Sequence, residues 1–202
     1  MYYTIIPFLV HVIPYWGLCY FFYRWDILYM KNPYNWSKYK SAVWYSLFNQ
    51  CCVGLPLLYT IEPYLISAIE RNVMGDTMLG FLTILHVINC FFYLTHRMLH
   101  LPLLYRYIHY QHHEIIDSFA VSTYYTHPIE YLVSNMLSFF LPILILGSSY
   151  RFMITLILLS TVFSTLSHVT YVYNDHQVHH RYYRYNYGFG SYFDMICGTF
   201  RK

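Results

Sequence analysis

The chain has 202 residues, of which 57% are hydrophobic and only 10% are charged, and its mean hydropathy is +0.34. This composition excludes an ordinary soluble domain and predicts an integral membrane protein. The net charge of +3 is too small to indicate a nucleic-acid partner. The five cysteines form no CxxC pair, so we expect buried thiols in a reducing compartment: Cys19, Cys51, Cys52, Cys90 and Cys197.

Apolar segments follow one another along the chain, and a bilayer core of about 30 Å requires roughly 20 apolar residues per helix. The first segment lacks a basic start and a cleavage site, so we expect it to be retained in the membrane. Pro56 is expected to interrupt the second segment, and the last two are expected to form a helical hairpin. Polar residues 24–42 and 62–76 would connect the first three. The sequence predicts an all-α helical bundle of about four to five spans at 2–23, 43–61, 77–95, 131–146 and 152–173.

Histidine is concentrated in two motifs, HRMLHLPLLYRYIHYQHH at 96–113 and NDHQVHH at 174–180. The first contains an i,i+4 pair, and each contains an HxxHH triplet. Positions three and four apart share a helix face, so we expect each group to direct its imidazoles at one point. The alternative is a set of core histidines satisfied by hydrogen bonds. Two metal ions are predicted, with ten candidate ligands: His96, His100, His109, His112, His113, His127, His168, His176, His179 and His180.

Two further histidines are excluded from the predicted site. His11 and His86 each stand alone in an apolar run, where a packed helix histidine is the expected role.

The number of candidate ligands narrows the choice of metal and the number of ions. Imidazole suits zinc, copper, iron and nickel, but ten histidines are too many for one four-coordinate zinc. They fit two five- or six-coordinate ions with open positions, and no ExxH carboxylate pattern accompanies them. An all-nitrogen site for two irons, beside apolar helices, predicts oxidation of a lipid C–H bond.

The order of the motifs then resembles a known group of proteins. HRMLH, HYQHHE, HPIE, His168, NDHQVHH, NYG and FDMICGT are similar to the fatty acid hydroxylase/sterol desaturase superfamily of membrane di-iron oxidases, over about residues 81–200. YRYIHYQHHE and TYYTHPIEYL are most similar to its C-4 methylsterol monooxygenase branch. The first 75 residues match only as generic membrane spans.

This resemblance implies that the ten histidines above are the ligands of two iron ions, with zinc as a substitute in a purified sample. It implies O2 as co-substrate and electrons from NAD(P)H through separate partners, cytochrome b5 or its reductase. The implied reaction is hydroxylation of a lipid, with a sterol C-4 methyl group favoured. A fatty acyl or sphingolipid hydroxylase and a sterol desaturase are the alternatives. No catalytic residue beyond the ligands and no organic-cofactor site is expected.

The closing motif and two departures from the superfamily pattern complete this comparison. Asp194 is expected either to orient a ligand histidine or to close the fold. Phe193 replaces the usual Trp, and a short His168-Val169-Thr170 passage replaces a longer insertion, which weakens the transfer of sterol specificity. The matching closing residues are Asn186, Tyr187, Gly188, Asp194, Gly198 and Thr199, and the carboxylates beside ligands are Glu114, Asp117, Glu130 and Asp175.

The charge distribution predicts the orientation. If both histidine motifs face one side, ten of the twelve Lys and Arg residues lie there and only Arg71 and Arg151 lie opposite. The positive-inside rule then predicts a cytosolic histidine-rich helical cap, in the endoplasmic reticulum membrane by resemblance. The sequon at Asn35 would face the same side and stay unmodified.

We expect residues 1–76, with the first spans, and 77–202, with the histidine motifs, to form a single integrated domain. A metal transporter or a haem-binding membrane protein is the competing class. Transport favours ligands near the bilayer midplane, and haem favours isolated axial histidines. Clustering at helix ends favours the oxidase.

Overall fold

The computed structural model describes residues 2–30, 35–73, 76–172 and 175–202. These residues form helices and connecting turns, without a strand, and the predicted all-α fold is confirmed. Lys31 of the predicted polar segment and Asn174 of the second histidine motif lie outside the described residues. The helices are α1 (Tyr2–Tyr29), α2 (Trp36–Arg71), α3 (Met78–Leu99), α4 (102–113), α5 (Pro128–Leu146), α6 (Tyr150–Ser167), α7 (Asp175–Tyr182) and α8 (Ser191–Ile196).

Five of these helices, α1, α2, α3, α5 and α6, are long and apolar enough to cross a membrane. Each contributes a side chain that is completely buried between the helices. Lipid tails are as apolar as these side chains, so close packing and hydrogen bonds hold such a bundle together. The buried residues, one from each span in chain order, are Tyr15, Leu65, Ile84, Ile143 and Met153.

Helix α2 is longer than predicted. Asn35 caps its first turn by accepting the Lys38 N–H at 3.2 Å, and the helix ends where Asn72 adopts a left-handed conformation with φ of 36°. The predicted polar connection at 62–76 was therefore wrong for its first ten residues. Glu62 lies inside the helix and is buried, so one charged residue did not end the helical hydrogen-bond pattern.

Pro56 does not break α2, contrary to expectation. The turn before it, Asn49–Gly54, is π-helical, and the Leu55 N–H bonds to the Gln50 carbonyl five residues earlier. A wider turn accommodates the proline ring and the missing N–H within a continuous helix. This turn also buries Asn49, whose Nδ2 donates to the carbonyls of Tyr124 and Thr126 at 3.1 and 2.9 Å.

The spans alternate in direction, so the histidine motifs share one end of the bundle. Tyr3 and Tyr150 begin α1 and α6 with ring centroids 5.2 Å apart, and at the other end Phe22 lies 6.0 Å from Tyr171. The connection between α5 and α6 is a three-residue turn beginning at Gly147. The two helices follow one another as predicted, but α5 packs mainly on α2 and α3, whereas α6 packs mainly on α1.

Only one cysteine is buried inside the protein, namely Cys19. The expectation of buried thiols was wrong for Cys51, Cys52 and Cys197, which are exposed. Cys51 and Cys52 lie in the middle of α2, where apolar surroundings would be lipid rather than protein. All five cysteines are free thiols.

Candidate metal centre

Nine of the ten candidate ligands come together in two adjoining groups, within which all ligand atoms lie within 4.8 Å of one another. The rings of His113 and His180, one from each group, are 4.7 Å apart between centroids. The five-histidine group comprises His96, His100, His109, His113 and His179, and the four-histidine group comprises His112, His168, His176 and His180.

Four helices supply these side chains from one end of the bundle. His96 lies in the last turn of α3 and His100 caps it, so this i,i+4 pair projects from a single helix end. Helix α4 carries the first HxxHH triplet and α7 carries the second. His168 is the C-cap residue of α6. The site is thus assembled where membrane-spanning helices end, and its two sequence motifs are adjacent in space.

Each HxxHH triplet is divided between the two groups, which corrects the expectation of one point per triplet. Successive residues of an α-helix are about 100° apart around the axis, whereas residues four apart differ by only about 40°. His109 and His113 therefore share the five-histidine group, and His112 turns to the other. In α7 the pair His176 and His180 belongs to the four-histidine group, and the i+3 residue His179 crosses over.

The Nε2 atoms of the five-histidine group form a closed set of short contacts. Neighbouring Nε2 atoms lie 3.1 Å apart for His96 and His109, 2.9 Å for His109 and His100, 3.1 Å for His100 and His179, 3.1 Å for His179 and His113, and 3.0 Å for His113 and His109.

The four-histidine group has the same character. Its Nε2 atoms lie 3.4 Å apart for His112 and His168, 3.1 Å for His168 and His176, and 3.1 Å for His176 and His180. Two imidazole nitrogens bound at about 2.1 Å and at right angles on one ion would be about 3.0 Å apart. Within each group, the spacing of the Nε2 atoms fits ligands of a single ion.

The opposite ring nitrogen of several histidines is held by a backbone carbonyl. Nδ1 of His96 donates to the Tyr187 carbonyl at 2.7 Å, and Nδ1 of His179 donates to the Tyr185 carbonyl at 2.6 Å. Nδ1 of His168 donates to its own helix, at the Ser164 carbonyl, 2.8 Å away. A neutral imidazole carries one N–H, so these bonds leave Nε2 of each ring as a lone pair. Converging lone pairs repel unless a cation lies between them.

Burial keeps these imidazoles neutral. It lowers the pKa of His100 to about 2 and that of His168 to about 4. Metal ligation requires the neutral form, so the surroundings favour binding of an ion over protonation. Burial, with repulsion from neighbouring imidazoles, also lowers the pKa of His109, His112, His113, His176, His179 and His180 well below the usual value.

Among the carboxylates that the sequence places beside ligands, Glu130 reaches a ring. Its Oε1 lies 2.9 Å from Nδ1 of His109, and both side chains are buried. Glu114 instead accepts the Tyr125 hydroxyl at 2.8 Å, and Asp175 accepts the Ser191 hydroxyl. Asp117 is exposed. A carboxylate this close to Nδ1 favours the tautomer that carries its proton there, which leaves Nε2 as the lone pair.

Asp194 closes the loop that supports His96, and so performs both of the roles considered for it. Its Oδ1 accepts the Tyr187 N–H at 2.8 Å, and its Oδ2 accepts the Gly188 N–H at 2.8 Å. The Thr199 hydroxyl also donates to it, at 2.7 Å. The carbonyl of Tyr187 is the one that holds His96. Asp194 therefore positions a predicted ligand through the backbone.

The close approach in this loop explains a glycine. A Cβ on Gly188 would meet the Gly190 carbonyl oxygen at 2.7 Å and Asp194 Oδ2 at 2.9 Å. Any side chain there would displace the carboxylate. The sequence indicated tight backbone geometry at this position, and the contact with Asp194 gives the reason.

His127 is the candidate that lies outside both groups. Its Nδ1 accepts the Ile129 N–H at 3.2 Å and caps the first turn of α5, which begins at Pro128. An acceptor nitrogen that caps a helix has its lone pair in use. The geometry gives no support to the ligand role predicted for His127.

The two excluded histidines have different surroundings. His86 packs against the rings of Tyr192 and Phe193, at 5.3 and 4.9 Å between centroids, as expected of a structural residue. His11 lines a cavity, which its isolated position in the sequence did not indicate. The Tyr185 and Tyr187 carbonyls were also missed, since a backbone acceptor leaves no sequence signal.

A cavity of about 690 Å³ runs from the histidines into the bundle. Three members of the four-histidine group, His112, His168 and His176, line one end together with His96 of the five-histidine group. It extends along α6 to Leu156, twelve residues before His168, which is about 18 Å at 1.5 Å per residue. The remaining walls are mainly apolar and come from α1, α2, α3 and α5. A lipid chain in this space would have one end beside the four-histidine group.

Residues 81–199 match the model of the fatty acid hydroxylase family. Fatty acid hydroxylase domain-containing protein 2 of Homo sapiens is 31% identical in an alignment that covers 89% of this chain and 57% of that protein. Delta(7)-sterol 5(6)-desaturase of Eremothecium gossypii is 29% identical over 69% of this chain and 43% of that protein. Sphinganine C4-monooxygenase 1 of Arabidopsis thaliana is 30% identical over 59% of this chain and 53% of that protein.

The chain spans about half the length of these relatives, from 43% to 57%. No solved structure matches it.

Proposed function

Because the chain belongs to the fatty acid hydroxylase family, we propose that it is a membrane lipid oxidase whose nine clustered histidines hold two iron ions. The observation that carries this proposal is the convergence of nine imidazoles, seven of them buried, with Nε2 spacings of 2.9–3.4 Å, at one end of a lipid-sized cavity.

Iron bound by these histidines would supply O2 activation for attack on an unactivated C–H bond. The five-histidine group offers five nitrogens and the four-histidine group four, so positions remain for oxygen in a six-coordinate shell. Acid–base side chains do not perform this chemistry, and the role of the protein is positioning and exclusion of water.

Backbone carbonyls and side chains of this chain would perform those two tasks. The Tyr185, Tyr187 and Ser164 carbonyls fix three ring orientations by hydrogen bonds, and the Glu130 carboxylate lies 2.9 Å from Nδ1 of a fourth ring, that of His109. Three of the four histidines in the four-histidine group line the cavity, against His96 alone in the five-histidine group, so the four-histidine group offers more of its surface to a bound lipid. Apolar walls formed by residues such as Phe139 and Leu156 hold a hydrocarbon in place and keep bulk water away from the reacting carbon.

The proposed reaction is hydroxylation of a lipid C–H bond. The motif resemblance favours a sterol C-4 methyl group. An acyl or sphingoid chain is the second candidate, in keeping with a relative named as a sphinganine C4-monooxygenase. Hydroxylation and desaturation begin with removal of the same hydrogen, so the ligand set accommodates both.

Electrons would come from NAD(P)H through cytochrome b5 or its reductase, on the cytosolic face of the endoplasmic reticulum. Exposed basic residues beside the histidine end, including Arg181 and Arg184, would meet an acidic donor.

Lipid profiling tests the proposal. A host that expresses the chain should accumulate an oxygen-dependent oxidised lipid, and His112→Ala, which removes a member of the four-histidine group, should abolish it. The purified protein should contain iron and show no haem Soret absorption, which separates the oxidase from a haem protein. An oxidised lipid that accumulates equally with His112→Ala contradicts the proposal. His86→Ala is the matched control and should leave the product unchanged.

A further inference from the structure

Halfway along the apolar cavity, a small polar group interrupts its wall. His11 from α1 and Thr161 from α6 both line the cavity, and Nδ1 of His11 lies 2.9 Å from the Thr161 hydroxyl oxygen. Polar side chains at this depth are unfavourable in lipid surroundings unless they serve a purpose. Neither residue belongs to the histidine groups.

The direction of these hydrogen bonds is set by a tryptophan. The Trp16 indole N–H, which can only donate, bonds to Gln50 Oε1 at 2.9 Å. The Gln50 amide nitrogen therefore faces Nε2 of His11, 3.4 Å away, and that ring nitrogen accepts. His11 must then carry its proton on Nδ1 and donate to Thr161. Each donor in this series, from Trp16 through Gln50 and His11 to Thr161, therefore points toward the cavity.

Two more hydroxyls continue the chain. The Tyr124 hydroxyl belongs to the same stretch of the cavity wall and lies 3.4 Å from that of Ser164. Ser164 in turn donates to the Thr161 carbonyl at 3.2 Å. Each hydroxyl oxygen has two lone pairs, and the contacts within this set use at most one of them on each oxygen, so a lone pair remains on every hydroxyl to accept a hydrogen bond. Tyr124, Thr161 and Ser164 all line the cavity.

The spacing from this polar group to the metal centre is set by one helix. Thr161 precedes His168 by seven residues on α6, which corresponds to roughly 10 Å along the helix axis. A lipid anchored at Thr161 would therefore have a carbon about 10 Å from its polar atom beside the histidines.

We propose that His11, Thr161, Tyr124 and Ser164 form a recognition site for an O–H or N–H group of the lipid substrate, roughly 10 Å from the carbon that is oxidised. This inference rests on the proposed function and specifies its substrate class. The site accepts a hydrogen bond, so an alcohol or amide fits it better than an ether or ester. His11 and Thr161 are specificity residues that position the substrate.

The site separates the substrate candidates. A sterol C-4 methyl group is attached to the carbon next to the one that bears the hydroxyl, so its hydroxyl would lie beside the histidines and leave His11 facing hydrocarbon. A chain or ring lipid with a remote alcohol or amide places its polar atom at Thr161. The inference thus favours a remote polar group over the C-4 position.

A binding comparison tests the inference without requiring turnover. The full chain in phospholipid nanodiscs is titrated with a long-chain fatty alcohol and with the methyl ether of the same alcohol, which cannot donate. The alcohol should bind about tenfold more tightly, as one hydrogen bond to an otherwise unpaired group provides. His11→Leu and Thr161→Val should reduce this preference to about onefold, and His11→Asn, which restores a donor near Nδ1, should recover part of it.

The matched controls are His86→Leu and Thr155→Val, which replace the same residue types outside the cavity and should keep the preference. Equal binding of alcohol and ether by the unsubstituted protein overturns the inference and requires no variant. A preference that survives both His11→Leu and Thr161→Val also overturns it. Retained preference without any oxidised product would instead contradict the proposed function and leave the recognition site standing.

Discussion

Glu130 is a single residue on which the five-histidine group is expected to depend. Its carboxylate lies 2.9 Å from Nδ1 of His109, a ring whose Nε2 contacts three other histidines of the five-histidine group. Glu130→Gln keeps the shape but removes the charge that favours the Nδ1–H tautomer. We expect metal affinity to fall about tenfold to hundredfold, as is typical for partners of ligand histidines. Competition with a chelator of known affinity measures this change.

The control is Glu70→Gln, at an exposed carboxylate in the last turn of α2, at the end of the bundle away from the histidines. It should leave metal affinity unaltered. Equal affinities in Glu130→Gln and the unsubstituted protein would mean that Glu130 does not support His109.

Asp194 acts on the same group through the backbone. In Asp194→Asn an amide NH2 would replace one oxygen that now accepts an N–H from the Tyr187–Gly188 segment. We expect the free energy of unfolding to fall by about 1–3 kcal/mol, because a buried donor loses its acceptor. Denaturant unfolding measures this loss, and metal content should fall with it, since the Tyr187 carbonyl holds His96.

Asp117→Asn, at an exposed carboxylate, is the comparison and should change neither quantity. Unchanged stability in Asp194→Asn would show that the closing loop is held by other contacts.

The roles of two histidines, His127 and His11, were not predictable from the sequence. The pattern could not show that His127 precedes a proline-initiated helix and uses its ring to cap it. Nor could it show that His11 meets Thr161, since 150 residues separate them along the chain. Eight of the nine histidines that come together lie three or four residues from another candidate, and such spacing is local on a helix; His168 is the exception.

At the scale of helices, the spans were predictable and their ends were not. Every span needs about 20 apolar residues, and that requirement is visible in the sequence. Where α2 ends depends on the left-handed Asn72 and on the packing of buried Glu62, which composition does not reveal. The packing partners of α5 and α6 were likewise set by tertiary contacts.

The divided triplets are the main finding at this scale. A helix cannot aim adjacent residues at one ion, because they differ by about 100° in direction. His112 and His113 must diverge, and α4 and α7 each serve both groups. The helical periodicity alone predicts this divergence, because residues i+3 and i+4 are adjacent in sequence, whereas the expectation of one face ignored it.

At the scale of the whole molecule, the proposed orientation has a direct test. Cys197 is exposed at the histidine end, and Asp76 is exposed at the other. In sealed microsomes, a membrane-impermeant maleimide should label Cys197 from the cytosolic side. In Cys197→Ser combined with Asp76→Cys it should label only after permeabilisation, because positively charged loops stay in the cytosol. The reverse pattern, or a glycan on Asn35, would contradict the orientation.

The described residues are organised around two histidine groups that share both triplets. We propose that each group holds one ion, and metal stoichiometry in double variants tests this most directly. His112→Ala with His176→Ala removes two members of the four-histidine group and should leave about one ion per chain, whereas His112→Ala with His113→Ala damages both groups and should leave less. If each triplet instead served its own ion, the order would reverse. Retention of about one ion by the His112/His113 pair, with loss of both by the His112/His176 pair, would contradict the account.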